Sequence, residues 1–505
     1  MTLPDLITKH ASENPGATAY IFQDKKISYG ELEDHILRCA AGLAKRGIKS
    51  GSTFGLVLRN SPDFVIIVMA LAKVGAIAVP INFLEKPERI ALILNDAKAV
   101  GVLTSKEFLA GIKESSKTIP TLKMIFSRDG AFPGVSLFSE LLEEEPTPPH
   151  FEPLEDDVMM LLYTAGTTGE PKGVMLTHGN FLANIDQCME AISLSKKDRF
   201  LCLLPMFHSF AWTTCVLIPL KMGAASIIIE SLLPFSPIIT QIWKHHATVF
   251  VAVPQIFGTL VSRISRPKAF LLRFLNPIRF CISGAAPLMP TIHRNFEKTF
   301  GVPLLEGYGL TETSPVVSLN TGKRKIGSVG RPLPGVQIRI VQDDEGTPVG
   351  PGDVGEIWVS GKNVMKGYYH KPDETKHVMT KDGWFKTGDM GKMDKDGFLS
   401  LVDRKKDLII VRGLNVYPQE IENVILQHDA VKEVAVVGKR DEKTGDEIIR
   451  AFVTEKEGKT IDKSKLNALC RERLAPFKRP KDIIVINEMP KNAIQKILKK
   501  ELRDR

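Results

Sequence analysis

No apolar run in this 505-residue chain is long enough to span a bilayer. The longest, Phe64 to Pro80, is interrupted by Lys73 after nine apolar residues, whereas a spanning helix needs about 20. The run reads instead as a buried helix followed by a core strand. The amino terminus lacks the basic start and long apolar centre of a secretion signal, so a cytoplasmic protein is expected. Cysteine is scarce: Cys39, Cys188, Cys202, Cys215, Cys281 and Cys470 are widely spaced and contain no C-x-x-C pair. That excludes a disulfide scaffold and a cysteine-rich zinc module, and suits reduced core thiols. Internal repeats and low-complexity tracts are also missing, which excludes solenoids and collagen-like or disordered chains.

What is present is ordinary for a packed globule: 43% hydrophobic and 25% charged residues. At about 150 residues per domain the length suggests three domain-sized pieces. The net charge of +9 is uneven, because residues 403–505 hold 24 Lys+Arg against 18 Asp+Glu, or +6. Such a basic tail segment suits a polyphosphate small molecule, anionic lipid or nucleic acid.

The stretch Glu143 to Pro153 carries four prolines and marks a boundary. On both sides of it short apolar strands alternate with helical patterns. Thr53–Leu58, Ala76–Ile81, Ala225–Ile229, Val249–Val253 and Ile278–Ile282 are the strands. This alternation predicts α/β architecture with helix-covered, mostly parallel sheets. From Gly327 to about Val402 glycine turns and short strands predict a small β unit. Beyond Asp403 the pattern is α+β: a helix opening at Pro418, strands near Val434–Val437 and Ile448–Val453, and a helix near Lys463–Leu474. The expected division is a large domain over 1–402, with subregions 1–153, 154–326 and 327–402. A small mobile domain over 403–505 follows.

The most informative segment is Tyr163-Thr-Ala-Gly-Thr-Thr-Gly-Glu-Pro-Lys-Gly-Val174. Glycines let backbone N–H groups converge on an anion, and Thr164, Thr167 and Thr168 add hydroxyls. Lys172 adds a positive charge. Five residues after Gly166 comes Pro171, where a Walker A loop has its second glycine, so this is not a Walker A loop.

These residues closely resemble the phosphate loop of the adenylate-forming superfamily of acyl-CoA synthetases, adenylation domains and luciferases. Further motifs follow in the family's order: Tyr308-Gly-Leu-Thr-Glu-Thr313, Thr387-Gly-Asp389, Asp403-Arg-Lys-Lys406, Arg412-Gly-Leu-Asn-Val-Tyr-Pro418 and Lys496. The resemblance implies an acid–thiol ligase that uses ATP, Mg2+ and coenzyme A. It places ATP on Thr164, Ala165, Gly166, Thr167, Thr168, Gly169 and Lys172, with Gly284, Ala285, Ala286, Gly307, Tyr308, Gly309 and Thr311 around the base and α-phosphate. Glu312 and Thr164 would hold the metal, and Asp389 and Arg404 the ribose. Lys496 would bridge carboxylate and α-phosphate, with Asp403 as hinge. Gly413 would line the pantetheine channel, and Arg440 and Lys443 would meet CoA phosphates. Here Asn492, Ile494 and Gln495 replace the family's usual Thr-x-Ser-Gly residues before the lysine, Leu414 replaces a glycine, and Ala165 a serine.

For the acyl group, Leu204-Pro-Met-Phe-His-Ser-Phe-Ala-Trp212 resembles the run in fatty-acyl-CoA synthetases that sets a histidine by the carboxylate and a tryptophan as gate. His208, Trp212, Val253 and Gly309 are the expected acyl residues. The expected reaction joins a medium- or long-chain fatty acid to CoA through acyl-AMP. An aryl-acid CoA ligase and a non-catalytic nucleotide- or acyl-binding member are the alternatives. No nucleic-acid partner is expected. Peripheral membrane contact stays open, as does a monomer or a homodimer.

Overall fold

The computed structural model describes residues 1–147, 151–165, 170–231, 236–263, 277–411, 414–440, 447–491 and 497–503. These form two compact units, residues 1–337 with 359–385 and residues 338–358 with 386–505.

The first unit is built on two large sheets. One has nine strands in the order Arg331–Pro332, Val316–Leu319, Leu304–Gly309, Phe280–Ser283, Val249–Ala252, Arg199–Cys202, Ala225–Ile228, Thr18–Phe22, Lys25–Ser28. Its centre, from Leu304–Gly309 to Thr18–Phe22, is parallel throughout, and antiparallel pairs close both edges. The other has eight strands: Gly367–Tyr368, Pro171–Thr177, Val158–Ala165, Ile77–Pro80, Thr53–Val57, Gly101–Thr104, Met124–Ser127, Ser136–Leu137. It too is parallel except at the hairpin Val158–Ala165/Pro171–Thr177 and the added edge strand Gly367–Tyr368. The α/β expectation therefore holds, with sheets covered on their faces as parallel sheets require.

The apolar run at Phe64–Pro80 folds as expected, into the helix Pro62–Lys73 and the strand Ile77–Pro80. Pro62 supplies a preset first turn, and the Ser61 hydroxyl accepts from Phe64 N at 3.3 Å. Every residue of Phe64–Ala72 is buried, so this helix has no solvent face. Buried Asn60 ties the two sheets together: its Nδ2 donates to the carbonyls of Leu204 (2.9 Å) and Ile229 (3.1 Å), while its Oδ1 accepts from Met206 N (2.8 Å). All the hydrogen-bonding capacity of that amide group but one lone pair is thus used on backbone groups. The loop leading to His208 is pinned as a result.

The second unit contains most of a four-stranded sheet of Gln337–Val341, Gly355–Ser360, Phe385–Met393 and Leu399–Arg404, a few of whose end residues fall in the first unit. It also contains the hairpin Ile409–Val411/Leu414–Val416 and a three-stranded sheet of Val431–Arg440, Glu447–Glu455 and Asp482–Val485. Helices Pro418–Ile425 and Lys463–Arg473 bury Ile421, Ile425, Leu466 and Cys470 in one core with Val434, Val436 and Val453. The β expectation for 327–402 is met in strands, but the segment between Ser360 and Phe385 leaves this sheet. It forms the helix Pro372–Val378, and Gly367–Tyr368 pairs in the first unit with Met175 and Val174.

Candidate active site

The phosphate-loop segment is a β-hairpin whose arms pair Thr164 with Lys172 and Tyr163 with Gly173. Gly166, Thr167, Thr168 and Gly169 lie outside the described residues, as does the side chain of Ala165. Thr164 sits half-buried at the end of its arm. Lys172, which the sequence presents simply as a positive charge, is 7% exposed and already engaged. Its Nζ lies 2.5 Å from Glu374 Oε2 and 5.3 Å from the centre of the Tyr368 ring. Lys172 in turn holds the Glu374 carboxyl below its usual range.

Tyr368 links this lysine to the expected metal ligand. Its hydroxyl donates to Glu312 Oε1 at 3.1 Å. Burial, and then the neighbouring Glu312 charge, push the phenol far above its ordinary value, so Tyr368 stays a donor. Among the described residues no three His, Cys, Asp or Glu side chains converge. A Mg2+ site with one carboxylate, Glu312, fits the cation, which keeps waters and takes further oxygens from substrate phosphates.

Beside these groups lies a cavity of about 70 Å³ in the first unit. Gly307, Tyr308, Gly309 and Thr311 form one wall, and Gly284 and Ala285 another. His208, Ser209, Phe210, Thr214 and Ile218 contribute a third, and Cys188, Ile192, Val316 and Leu319 add apolar surface. The position follows from topology, since the loops after parallel strands Arg199–Cys202, Phe280–Ser283 and Leu304–Gly309 meet at their carboxyl ends. Close approach is enforced by glycines. A Cβ on Gly284 would stand 2.9 Å from the Phe210 ring, and one on Gly309 would stand 1.9 Å from the Pro315 carbonyl oxygen. Ala285 holds φ +66, a left-handed conformation that costs a non-glycine residue and recurs at functional sites.

Behind the cavity wall the helix widens to a π turn over Trp212–Leu217. Thr214 donates to the Phe210 carbonyl (2.6 Å), and Ser226 donates to the Cys215 carbonyl (2.6 Å). Buried Glu306 precedes the Gly307–Gly309 wall. One oxygen accepts from Leu288 N at 3.1 Å and the other has no partner among the described residues. Burial pushes its carboxyl up to about 7.

In the second unit, Asp389 is 6% exposed and faces Arg404 in register, with Arg404 Nε 3.1 Å from Asp389 Oδ1. The turn before Asp389 is braced: Thr387 Oγ1 donates to the Ile357 carbonyl (2.7 Å) and accepts from Asp389 N (3.0 Å). Asp403 is half-buried, its carboxylate accepting from Arg404 N and Gln419 N, each at 2.8 Å. Burial raises its pKa. Arg440 is exposed at the end of the strand Val431–Arg440, whose middle is buried. Gly413, Lys443 and Lys496 lie outside the described residues, with Asn492, Ile494 and Gln495.

The first unit thus brings together His208, Gly284, Ala285, Gly307, Tyr308, Gly309 and Thr311 around one cavity. Trp212 and Val253 do not line it; Trp212 is fully buried with its ring 6.0 Å from that of Phe64, and Val253 is buried. Ala286 stands half-buried next to Ala285 without lining it. Sequence reading passed over Tyr368, Glu374, Asn60 and the apolar liners. Only the polar residues of Gly367-Tyr-Tyr-His-Lys-Pro-Asp-Glu374 offered a signal, and their partners are distant in sequence, 56 residues for Tyr368–Glu312 and 202 for Glu374–Lys172.

Known proteins resemble this chain in sequence and in fold. The pattern of the "AMP-binding enzyme" family matches residues 7–369, and that of the "AMP-binding enzyme C-terminal domain" matches 420–496. The chain is 35% identical to a long-chain-fatty-acid–CoA ligase of Bacillus subtilis (strain 168), over 99% of this chain and 94% of that one. It is 34% identical to an indoleacetate–CoA ligase of Aromatoleum aromaticum, over 100% and 98%. The solved structure of ATP-bound MatB from Rhodopseudomonas palustris superposes with a TM-score of 0.90 at 29% identity, covering 100% of this chain and 99% of that one. With motif order, fold and family pattern all concordant, the chain belongs to the AMP-binding enzyme family, the adenylate-forming superfamily.

Proposed function

We propose that this protein is an ATP-dependent acyl-CoA ligase acting on a medium- or long-chain fatty acid. The observation that carries this reading is the cavity beside the Tyr308–Glu312 segment, whose lining is aliphatic or glycine apart from Phe210, Tyr308, His208, the Cys188 thiol and a few hydroxyls. No Asp, Glu, Lys or Arg lines it, so an uncharged hydrocarbon tail fits best. The similarity to a long-chain-fatty-acid–CoA ligase supports the same substrate class.

In the first half-reaction the acid's carboxylate, placed near His208, attacks the α-phosphorus of ATP and pyrophosphate departs. Lys172 and the loop amides neutralise the departing phosphates, and Tyr308 packs on adenine. Mg2+, when bound at Glu312, spreads the charge on the triphosphate oxygens. Asp389 accepts the ribose hydroxyls beside Arg404. Lys496 stabilises charge at the α-phosphate. In the second half-reaction the CoA thiol attacks the acyl-AMP carbonyl and AMP leaves. Gly413 leaves room for pantetheine, and Arg440 and Lys443 receive CoA phosphates. Rotation of the residues beyond Asp403 exchanges Lys496 for Gly413 between the half-reactions.

The second reading is an aryl acid, favoured by the 34% identity to an indoleacetate–CoA ligase. A turnover assay of AMP release over saturated acids of six to eighteen carbons, benzoate and indoleacetate decides between them. Graded activity along the alkyl series supports the fatty-acid reading, and activity confined to aromatic acids replaces it.

A further inference from the structure

Tyr368 lies on the two-residue edge strand that joins the hairpin arm carrying Lys172. Backbone bonds bind this short segment to both sides of the site. Lys366 N donates to the Met175 carbonyl (3.1 Å), Tyr369 N to the Gly173 carbonyl (2.8 Å), and Met365 N to the Glu312 carbonyl (2.8 Å). The segment is held from the other side by Thr375, whose Oγ1 accepts from Tyr368 N at 2.9 Å. The Tyr368 side chain is therefore launched from a fixed backbone and is 6% exposed. It touches two charges of opposite sign: its ring faces the Lys172 ammonium and its hydroxyl reaches Glu312 Oε1.

We propose that Tyr368 is a positioning residue that holds the Glu312 carboxylate in one rotamer, at a set distance from Lys172, ready for the Mg2+–triphosphate. The proposal rests on the reading of Glu312 as the metal-binding carboxylate. Three rotatable bonds separate a glutamate carboxylate from its backbone, and an unanchored one samples several positions. A phenol donating to one carboxylate oxygen removes that freedom without using up the group. The two oxygens offer about four lone-pair sites, so phenol and cation are accommodated together. The bond has an ionised acceptor, which places it among the stronger hydrogen bonds. Because the ring also faces Lys172, one side chain sets the spacing of the two groups that meet the same polyphosphate. Tyr368 makes no contact with reacting atoms in this scheme; it acts through Glu312.

The test uses the full chain and calorimetric binding of α,β-methylene-ATP with Mg2+, with metal-free AMP as reference. Tyr368→Phe keeps the ring and deletes the hydroxyl. It should weaken the Mg2+–analogue about tenfold, the scale of one hydrogen bond to a charged group, and leave AMP within about twofold. Glu312→Gln should weaken the Mg2+–analogue at least as much. In the double variant Tyr368→Phe should add nothing, since its route runs through the missing carboxylate. A Tyr368→Phe protein with parental Mg2+–analogue affinity, beside a weakened Glu312→Gln, overturns the positioning role and spares the metal role of Glu312. An unaffected Glu312→Gln overturns both. Losses that add in the double variant, or that strike AMP equally, reduce Tyr368 to a general structural residue and overturn the proposal.

Discussion

Glu374 holds the Lys172 ammonium at 2.5 Å, across 202 residues of sequence, with the lysine buried and the glutamate 41% exposed at its side chain. In the proposed mechanism, phosphate oxygens take the place of this carboxylate on Lys172. Glu374→Gln should therefore raise the affinity for ATP and for inorganic pyrophosphate. A half-exposed pair is weak, so the gain should be about two- to fivefold, and smaller at high salt. Calorimetric titration with pyrophosphate at two salt concentrations measures it; unchanged affinity would mean that Lys172 does not meet the phosphates.

Glu306 gives a pH prediction. Its carboxyl is raised from 4.5 to about 7 by burial, so the folded protein binds this proton more tightly than the unfolded chain. Its contribution to stability is full below pH 4.5 and is lost as pH rises to about 7, up to about 3 kcal/mol. Glu306→Gln keeps a hydrogen-bonding group and removes the charge. Its thermal midpoint should exceed the parent's at pH 8 and match it near pH 5. A constant difference across that range would refute the assignment.

The cavity separates two neighbouring residues of one helical run. Ile218 lines it, and Ile218→Ala should move the preferred acid toward longer chains, with each added methylene worth about 0.8 kcal/mol. Trp212 stands in the core against Phe64, so Trp212→Ala should cost about 3–5 kcal/mol of stability. Rate ratios across the alkyl series and thermal melts of both variants distinguish the roles. A reshaped chain-length profile in Trp212→Ala with an unchanged melt would restore Trp212 as a gate.

The two half-reactions should come apart in mutants of the C-terminal segment. Lys496→Ala should abolish acyl-AMP formation and spare thioester formation from supplied acyl-AMP. Gly413→Leu should do the reverse. Asp403→Pro, which freezes one backbone angle at the proposed hinge, should preserve only one of the two. Loss of the same half-reaction in Lys496→Ala and Gly413→Leu would remove the alternating arrangement.

Much of the fold was legible because alternation and caps are local. The strands at Thr53, Ile77, Ala225 and Val249 and the helix at Pro418 begin within a residue of their expected positions. The cavity-lining glycines were legible because backbone close approach demands glycine, as at Gly284 and Gly309. Tyr368 was not: a two-residue edge strand has no periodicity, and its partners come from residues 172 and 312. Trp212 shares a four-residue spacing with His208, but its environment is set by Phe64, in a helix that spacing does not reach.

All six cysteines are buried, and burial pushes the Cys188 thiol up to about 12. Thiolate is the reactive form, so maleimide dyes at neutral pH should leave the native thiols largely untouched. A cysteine introduced on an exposed position of each unit can then carry donor and acceptor fluorophores on an otherwise unaltered chain. With every native thiol buried, energy transfer between the two labels tests the proposed rotation during turnover.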